Sequence, residues 1–167
     1  MQIDYLAHHR HLLPEVTDLV YDQWAEMFQA GGTSRDRLEE LFVERAVSDR
    51  LPLTLVALDG DVLAGTGSIK LSEPGTKAGL SPWLAGVIVK DAFRGAGVGT
   101  MLVKALELNA VKLGVQTLHL SVGAATKFYE GLGWTALERI NSYGVKDVTL
   151  MAKDLALAKP SECCPQD

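Results

Sequence analysis

Residues 87–100 read Val87-Ile88-Val89-Lys90-Asp91-Ala92-Phe93-Arg94-Gly95-Ala96-Gly97-Val98-Gly99-Thr100. An apolar run typical of a buried strand leads into a glycine-rich turn, and the apolar residues after the turn recur at helical spacing. Glycines let a ligand approach the backbone closely, and the first amides of a helix lack intrahelical partners and favour negative charge. The stretch therefore predicts an anion-binding turn at the start of a helix, with Arg94 adding a cation at its rim.

The same glycines have other interpretations. Gly95, Gly97 and Gly99 would also permit a tight connection between strand and helix that binds nothing. A dinucleotide-binding turn is disfavoured because the strand ends well before the first glycine, the spacing is G-x-G-x-G, and no acidic residue ends the next strand. A nucleoside triphosphate loop is disfavoured because no Gly-Lys-Ser/Thr follows.

The remaining patterns place this turn inside a mixed α/β sheet. A helix opened by Pro14 carries apolar residues at helical spacing as far as Phe28, and a second helix follows a cap at Thr33 or Ser34. The third helix runs from the glycine turn to Gly114. The predicted order is strand, two helices, three strands, helix, strand, helix and two strands, with strands at 3–6, 53–58, 62–69, 83–89, 117–122, 134–140 and 145–152 and the last helix at 124–130.

Composition bounds the domain count and the class of protein. The 167 residues, 47% of them hydrophobic, predict one globular domain over residues 1–155 and a flexible tail over 156–167. The formal charge of −5, with both signs interspersed and no block of Lys or Arg, disfavours nucleic-acid binding. Because no apolar stretch approaches about 20 residues and no apolar leader is present, we expect no membrane association and a cytoplasmic location.

Cysteine and histidine patterns predict no metal site. Cys163 and Cys164 are adjacent in the predicted tail, so a disulfide framework is excluded, and an inert tail is favoured over a soft-metal or redox role. His8, His9 and His11 cluster before the first helix, but their spacing matches no known metal site. We therefore expect no bound metal.

Two segments resemble the GNAT superfamily of N-acetyltransferases. Arg94, Gly97 and Gly99 supply the signature of the family's motif A, Arg/Gln-x-x-Gly-x-Gly/Ala. Residues 125–134 resemble the family's A-x-x-F/L-Y-E-x-x-G-F/W segment, although the Asn that usually precedes that segment is missing. The element order also matches the family over nearly the whole chain.

The resemblance implies a GNAT acyl-CoA N-acyltransferase fold that takes acetyl-CoA as co-substrate. In that family the turn amides hold the CoA pyrophosphate, and the preceding strand binds the pantetheine arm through its backbone. The implied cofactor-binding residues are Val87, Ile88, Val89, Arg94, Gly95, Ala96, Gly97, Val98, Gly99 and Thr100.

Tyr129 is the predicted catalytic acid. The resemblance places this phenol beside the CoA sulfur, and a phenol is protonated at neutral pH and can protonate a departing thiolate. The alternative is a packed aromatic residue at a helix–strand junction. The amide of Val89 or of Ile88 is expected to polarise the thioester carbonyl, and the sequence does not choose between them.

The general base and the acceptor pocket are less defined. The strand at 83–89 carries no Glu, Asp or His, so His119, Glu73 and a water molecule all stay open as proton acceptors. Trp24, Phe28 and Trp83 are candidates for lining the acceptor pocket. Core packing is the favoured interpretation of the first two and an equal alternative for Trp83.

The resemblance thus implies transfer of an acetyl group from acetyl-CoA to a primary amine of a small molecule or peptide. Because no motif residue resembles an activated nucleophile, we expect direct attack in a ternary complex. A non-catalytic acyl-CoA-binding or sensing module is the main alternative, and a different kind of nucleotide-binding domain is a third. The sequence leaves the acceptor amine and the oligomeric state open, with a homodimer as one option.

Overall fold

The computed structural model describes residues 1–74, 76, 79–142 and 145–157. Residues 156 and 157 of the predicted tail belong to a 3-10 turn, Leu155–Leu157, and the rest of that tail, with Cys163 and Cys164, lies outside the described residues. Within the described part of the chain, no helix is both long enough and apolar enough to span a bilayer.

Seven strands form one mixed sheet. They are β1 (Gln2–Tyr5), β2 (Leu53–Asp59), β3 (Val62–Lys70), β4 (Trp83–Val89), β5 (Thr117–Val122), β6 (Thr135–Ser142) and β7 (Val145–Asp154). The strand order is β1-β2-β3-β4-β5-β7-β6, and each neighbouring pair is antiparallel except β4 and β5, which are parallel. The predicted mixed α/β sheet and its strand sequence are confirmed.

The described residues contain five α-helices between the strands: α1 (Leu13–Gln23), α2 (Ala25–Ala30), α3 (Arg35–Arg45), α4 (Val98–Lys112) and α5 (Thr126–Gly131). Ser34 caps α3 by accepting a hydrogen bond from the Arg37 amide at 3.1 Å, so the second of the two expected caps is the one used.

The prediction of one continuous helix from Pro14 to Phe28 was wrong. The chain leaves helical geometry at Trp24 (φ −126°, ψ 32°), and α2 begins at the next residue. Trp24 packs against the core and also lines a cavity. Burial of its large indole outweighs the loss of helical geometry at one residue, which costs about 1 kcal/mol or less. Apolar spacing does not reveal the break because both helices keep apolar residues on the same side.

The core lies on both faces of the sheet. On one face, Leu102 and Leu106 of α4 pack with Leu55 of β2, whereas on the other face α1 and α3 pack over Val56 and Leu58. Successive residues of β2 therefore serve opposite clusters, as strand geometry requires, which explains why buried strands of this chain read as continuous apolar runs. The glycine turn opens α4 on the first face, and the α1–α3 helices cover the second.

Candidate active site

The parallel strands β4 and β5 separate soon after they meet. They share one register pair, Trp83 with His119, and the His119 amide donates to the Pro82 carbonyl at 3.1 Å. Beyond that point the described residues of β4 and β5 form no further ladder pairs. The edge of β4 that faces β5 is therefore open, and its backbone N–H groups can bind an extended ligand.

The pairing of β4 with β3 shows which backbone groups face that opening. The Lys90 amide donates to the Ala64 carbonyl at 2.8 Å, and Val89 lies opposite Gly65. In an antiparallel ladder this arrangement makes Val89 the non-hydrogen-bonded member, so its N–H and C=O point away from β3. Ile88 is then turned toward β3. Of the two amides that the sequence left open, only that of Val89 faces the separated strands.

The glycine turn after β4 presents unpaired amides. Gly95 and Gly97 have φ angles of +77° and +79°, values that side-chain-bearing residues rarely adopt, and Gly97 is the N-cap of the 15-residue α4. A Cβ atom at either glycine would meet nothing within 4 Å. The amides of residues 95–100 find no acceptor in the described part of the chain. Open space, unpaired N–H groups and the positive end of a helix together form a site for an anion.

Arg94 does not project freely from the rim of this turn. Its Nε donates to the Val89 carbonyl at 3.1 Å, and its Nη1 lies 3.0 Å from Oδ1 of Asp91. The guanidinium therefore fixes the connection between β4 and α4, and Asp91 offsets part of its charge. Its side chain is still about half exposed (58%), so it can contribute to an anion site only from the edge.

Gly99 and Phe128 lie close together, so the second sequence motif, residues 125–134, reaches the glycine turn. A Cβ atom on Gly99 would lie 3.5 Å from Cζ of Phe128 and 3.8 Å from Cγ2 of Val89. The end of β4, the first turn of α4 and α5 therefore converge, although α5 lies about 30 residues further along the chain. Tyr129 is the next residue of α5.

Tyr129 is buried, with 8% of its surface exposed, and its ring makes edge contacts with Phe128 and Trp134. Burial raises the pKa of its phenol to about 12, because the charged form would lose its hydration. The hydroxyl forms no hydrogen bond to any described residue, yet it is not sealed from solvent. An unpaired, protonated O–H of this kind can donate a proton to a bound ligand.

A cavity of about 500 Å³ lies on the opposite side of β4 from α4. Leu84, Ala85 and Gly86 of β4 line it, together with Ser121 near the end of β5 and Gly123 just after that strand. Most of its wall is apolar, contributed by α1, α2, α3 and β7. That apolar part consists of Val20, Trp24, Met27, Phe28, Leu38, Leu41, Phe42 and Val148.

Charged side chains of three described residues also reach the cavity. Lys70 at the end of β3 forms an ion pair with Glu73, with 3.0 Å between Nζ and Oε1, and Arg45 of α3 contributes a second cation. Burial lowers the pKa of Lys70, as does the charge of Arg45, while Glu73 opposes the shift. Perturbed pKa values of this kind are frequent at functional sites and also occur in structural ion pairs.

Other residues singled out in the sequence have different positions. Trp83 is fully buried and its indole N–H donates to the Leu80 carbonyl, so it belongs to the core and not to the cavity wall. His119 is buried against Trp83, with Nδ1 3.3 Å from the Pro82 carbonyl, which favours its structural interpretation. Trp24 and Phe28, by contrast, line the cavity.

The histidines near the N-terminus hold a carboxylate. His8 and His9 both contact Asp4, at 2.9 Å and 2.8 Å. In the part of the chain that the structure covers, no group of three or more metal-ligating side chains is arranged to hold an ion.

Sequence reasoning missed Gly86, Arg45 and Lys70. Gly86 has a φ of +63° at the irregular step between β3 and β4, and a glycine inside an otherwise apolar strand was the available signal for a bulge. The two cations carried no signal, because a charged residue on a helix or at a strand end is normally solvated.

Comparison with known proteins identifies the family of the chain. The family model described as acetyltransferase (GNAT) family matches residues 14–134. A curated relative, N-alpha-acetyltransferase 80 from Mus musculus, is 28% identical over 160 residues, which are 93% of this chain and 48% of the relative. The chain thus spans about half the length of the curated relative that it matches.

Solved structures share the fold at low identity. An aminoglycoside 6'-N-acetyltransferase complexed with coenzyme A has a TM-score of 0.73 and 20% identity, covering 96% of this chain and all of the other. The Salmonella typhimurium protein yncA, solved with its cofactor acetyl-CoA, has a TM-score of 0.66 and 17% identity, covering 98% and 99%. The predicted fold is confirmed. With both motifs at one site and a family match over most of its length, the chain belongs to the acetyltransferase (GNAT) family.

Proposed function

We propose that the protein transfers an acetyl group from acetyl-CoA to a primary amine of a small molecule or peptide, by direct attack in a ternary complex. The observation that carries this proposal is the opening between β4 and β5. It has the unpaired amides of residues 95–100 at one end and the 500 Å³ cavity at the other. Residues 86–89 span about 10 Å of extended strand between them.

In this proposal, the turn amides hold the CoA pyrophosphate and the open edge of β4 binds the pantetheine arm. Two of the similar proteins were solved with coenzyme A and with acetyl-CoA, which supports that choice of anion. Val89 has its amide on the correct edge to hydrogen-bond an acyl or pantetheine carbonyl. The missing Asn before α5 leaves Gly123 and Ala124 there, so backbone groups carry more of the cofactor binding.

Tyr129 protonates the departing thiolate. Its phenol remains protonated throughout the neutral range because burial raises its pKa to about 12. Removing the hydroxyl should lower kcat about 100-fold, in the range for loss of a general acid.

The cavity receives the acceptor. Its wall is mostly apolar, and its charged groups among the described residues are two cations and one carboxylate. That balance favours an acceptor with a single amine on an apolar or peptide framework over a polycation, since repeated positive charges would face Arg45 and Lys70.

The test is a thiol-release assay with acetyl-CoA and a panel of amines. The panel contains short peptides with free N-terminal amines, N-acetyl-lysine amide, small alkylamines and an aminoglycoside. We expect thiol release with at least one amine and acetylated product by mass spectrometry. Tyr129→Phe should lose turnover while coenzyme A affinity changes less than about 3-fold. A chain that binds coenzyme A but acetylates nothing in the panel would support the sensing module instead.

A further inference from the structure

The Lys70–Glu73 ion pair forms part of the cavity wall. The two side chains are 15% and 4% exposed, and Glu73 is the one carboxylate among the described residues that line the cavity. Thr76 closes a turn after Glu73, because its amide and hydroxyl both donate to the Glu73 carbonyl. The contact with Lys70 Nζ holds the Glu73 carboxylate at the side of the cavity.

A second enclosed lysine–glutamate pair in the molecule has an evident structural purpose. Lys153 lies 2.9 Å from Glu107 and also donates to the Leu132 carbonyl, while Glu107 accepts a hydrogen bond from the Trp134 indole. That pair joins α4, the end of α5 and β7. Glu73, in contrast, receives only Lys70 as a side-chain donor within the described residues. Burying an ion pair seldom stabilises a protein, so an enclosed carboxylate with one donor at a cavity wall suggests another role.

Acetyl transfer supplies that role. An amine acceptor arrives as an ammonium ion and must lose a proton before its nitrogen can attack the thioester. No side chain of β4 can take that proton, and His119 is turned to the Pro82 carbonyl, away from the cavity lining. Among the described residues that line the cavity, Glu73 is the one with a carboxylate, which is negatively charged and can accept a proton.

We propose that Glu73 accepts the proton of the acceptor ammonium and that Lys70 is a positioning residue that holds the carboxylate at the cavity wall. This inference rests on the proposed function. Among the described residues, the charged groups that line the cavity with Glu73 are Lys70 from β3 and Arg45 from α3. The apolar side chains of α1 to α3 form the opposite part of the cavity wall.

The proton transfers balance. The ammonium gives one proton to the Glu73 carboxylate, which passes it to solvent, and the neutral nitrogen forms a bond to the acetyl carbon. The carbon–sulfur bond then breaks and the thiolate takes the proton of Tyr129. The second proton leaves the nitrogen and restores the Tyr129 phenol. One proton is released for each amide formed.

The experiment compares kcat/KM against pH for the wild type, Glu73→Gln, Lys70→Met and Lys70→Arg, with the best acceptor of the amine panel. Glu73→Gln should lower kcat/KM about 100-fold, with rates that rise with pH as the free amine becomes more abundant. Lys70→Met should lower kcat with little change in KM, because the carboxylate loses the ion-pair partner that holds it at the cavity wall. Lys70→Arg should restore most of kcat.

Glu107→Gln and Lys153→Met are the matched controls. They disturb an equally enclosed pair, so they should lower the melting temperature without moving the pH profile. Wild-type turnover with an unchanged profile in Glu73→Gln would overturn this inference and leave the proposed function standing. Absence of wild-type turnover with every amine would overturn both. Coenzyme A affinity of each variant, which should stay within about 3-fold of wild type, verifies that each is folded.

Discussion

The glycine turn proposed to bind the cofactor and the cavity proposed to bind the acceptor are built in opposite ways. The turn is made of backbone amides from one contiguous stretch, residues 95–100, and needs glycine for its conformation. The cavity is made of side chains from helices, loops and strands that are far apart in the chain. A backbone site depends on conformation and tolerates few substitutions at its glycines, whereas a side-chain site can be changed residue by residue. The two regions should therefore respond differently to mutation.

Gly97→Val should give the largest effect and tests the glycine turn, the region built from backbone amides. A β-branched residue at a φ of +79° is strained, and its side chain would stand in front of the unpaired amides. We expect coenzyme A affinity to fall at least about 100-fold, which corresponds to about 2.7 kcal/mol, as measured by calorimetry.

Gly114→Val is the control for that strain. Gly114 has a φ of +82°, with nothing within 4 Å of a Cβ atom, at the far end of α4. Both variants should lose similar thermal stability, but only Gly97→Val should lose the cofactor. Equal coenzyme A binding by the two variants would show that the turn is not the anion site.

Trp24→Ala tests the cavity, the region built from side chains. Removing an indole that lines the cavity should raise the KM for the acceptor about 10-fold through lost apolar contact, with coenzyme A affinity unchanged. Trp24→Phe should recover most of the difference. Steady-state kinetics with the acceptor varied at saturating acetyl-CoA provides the measurement, and a matching loss of cofactor affinity would contradict the separation of the two regions.

Tyr129→Phe gives a smaller and pH-dependent effect on stability. Burial raises the pKa of the phenol from its ordinary value of 10.0 to about 12, so the unfolded chain ionises first. Wild-type stability from this group is intact below pH 10 and is lost as pH rises toward 12. Relative to Tyr129→Phe, the wild type should lose about 1.4 kcal/mol by about pH 11, measured by urea unfolding at a series of pH values. Parallel curves for the two proteins would show that Tyr129 is not desolvated.

Gly99→Ala should give the smallest effect. Gly99 lies within α4 and has no positive φ, and an added Cβ would make ordinary contacts at 3.5 Å with Phe128 and 3.8 Å with Val89. Alanine is favoured over glycine in helices by about 1 kcal/mol, so the melting temperature should be unchanged or slightly raised and coenzyme A affinity should change less than about 3-fold. The motif signature permits Ala at this position for the same physical reason. A large loss of binding would mean that the ligand contacts Gly99 directly.

Sequence reasoning reached the turn and Tyr129 because each belongs to a short motif with its own local signal. It missed the helix break at Trp24, because a break made by tertiary packing leaves the apolar spacing intact. The structural interpretation of Trp83 and His119 could be chosen only once their burial was known, because both lie in the core and contact each other. The choice between Val89 and Ile88 needed the ladder with β3, since the direction of an amide depends on pairing register.

The sequence by itself determined the family, the mixed sheet and the glycine turn, because these depend on local conformational preferences and on contiguous motifs. Only the tertiary structure decided that β4 and β5 separate after Trp83 and His119, and that Lys70, Glu73 and Arg45 meet in one cavity. The physical reason is the sequence distance over which each interaction acts. Backbone propensity acts over a few residues, whereas burial and charge pairing act between segments that only the folded chain brings together.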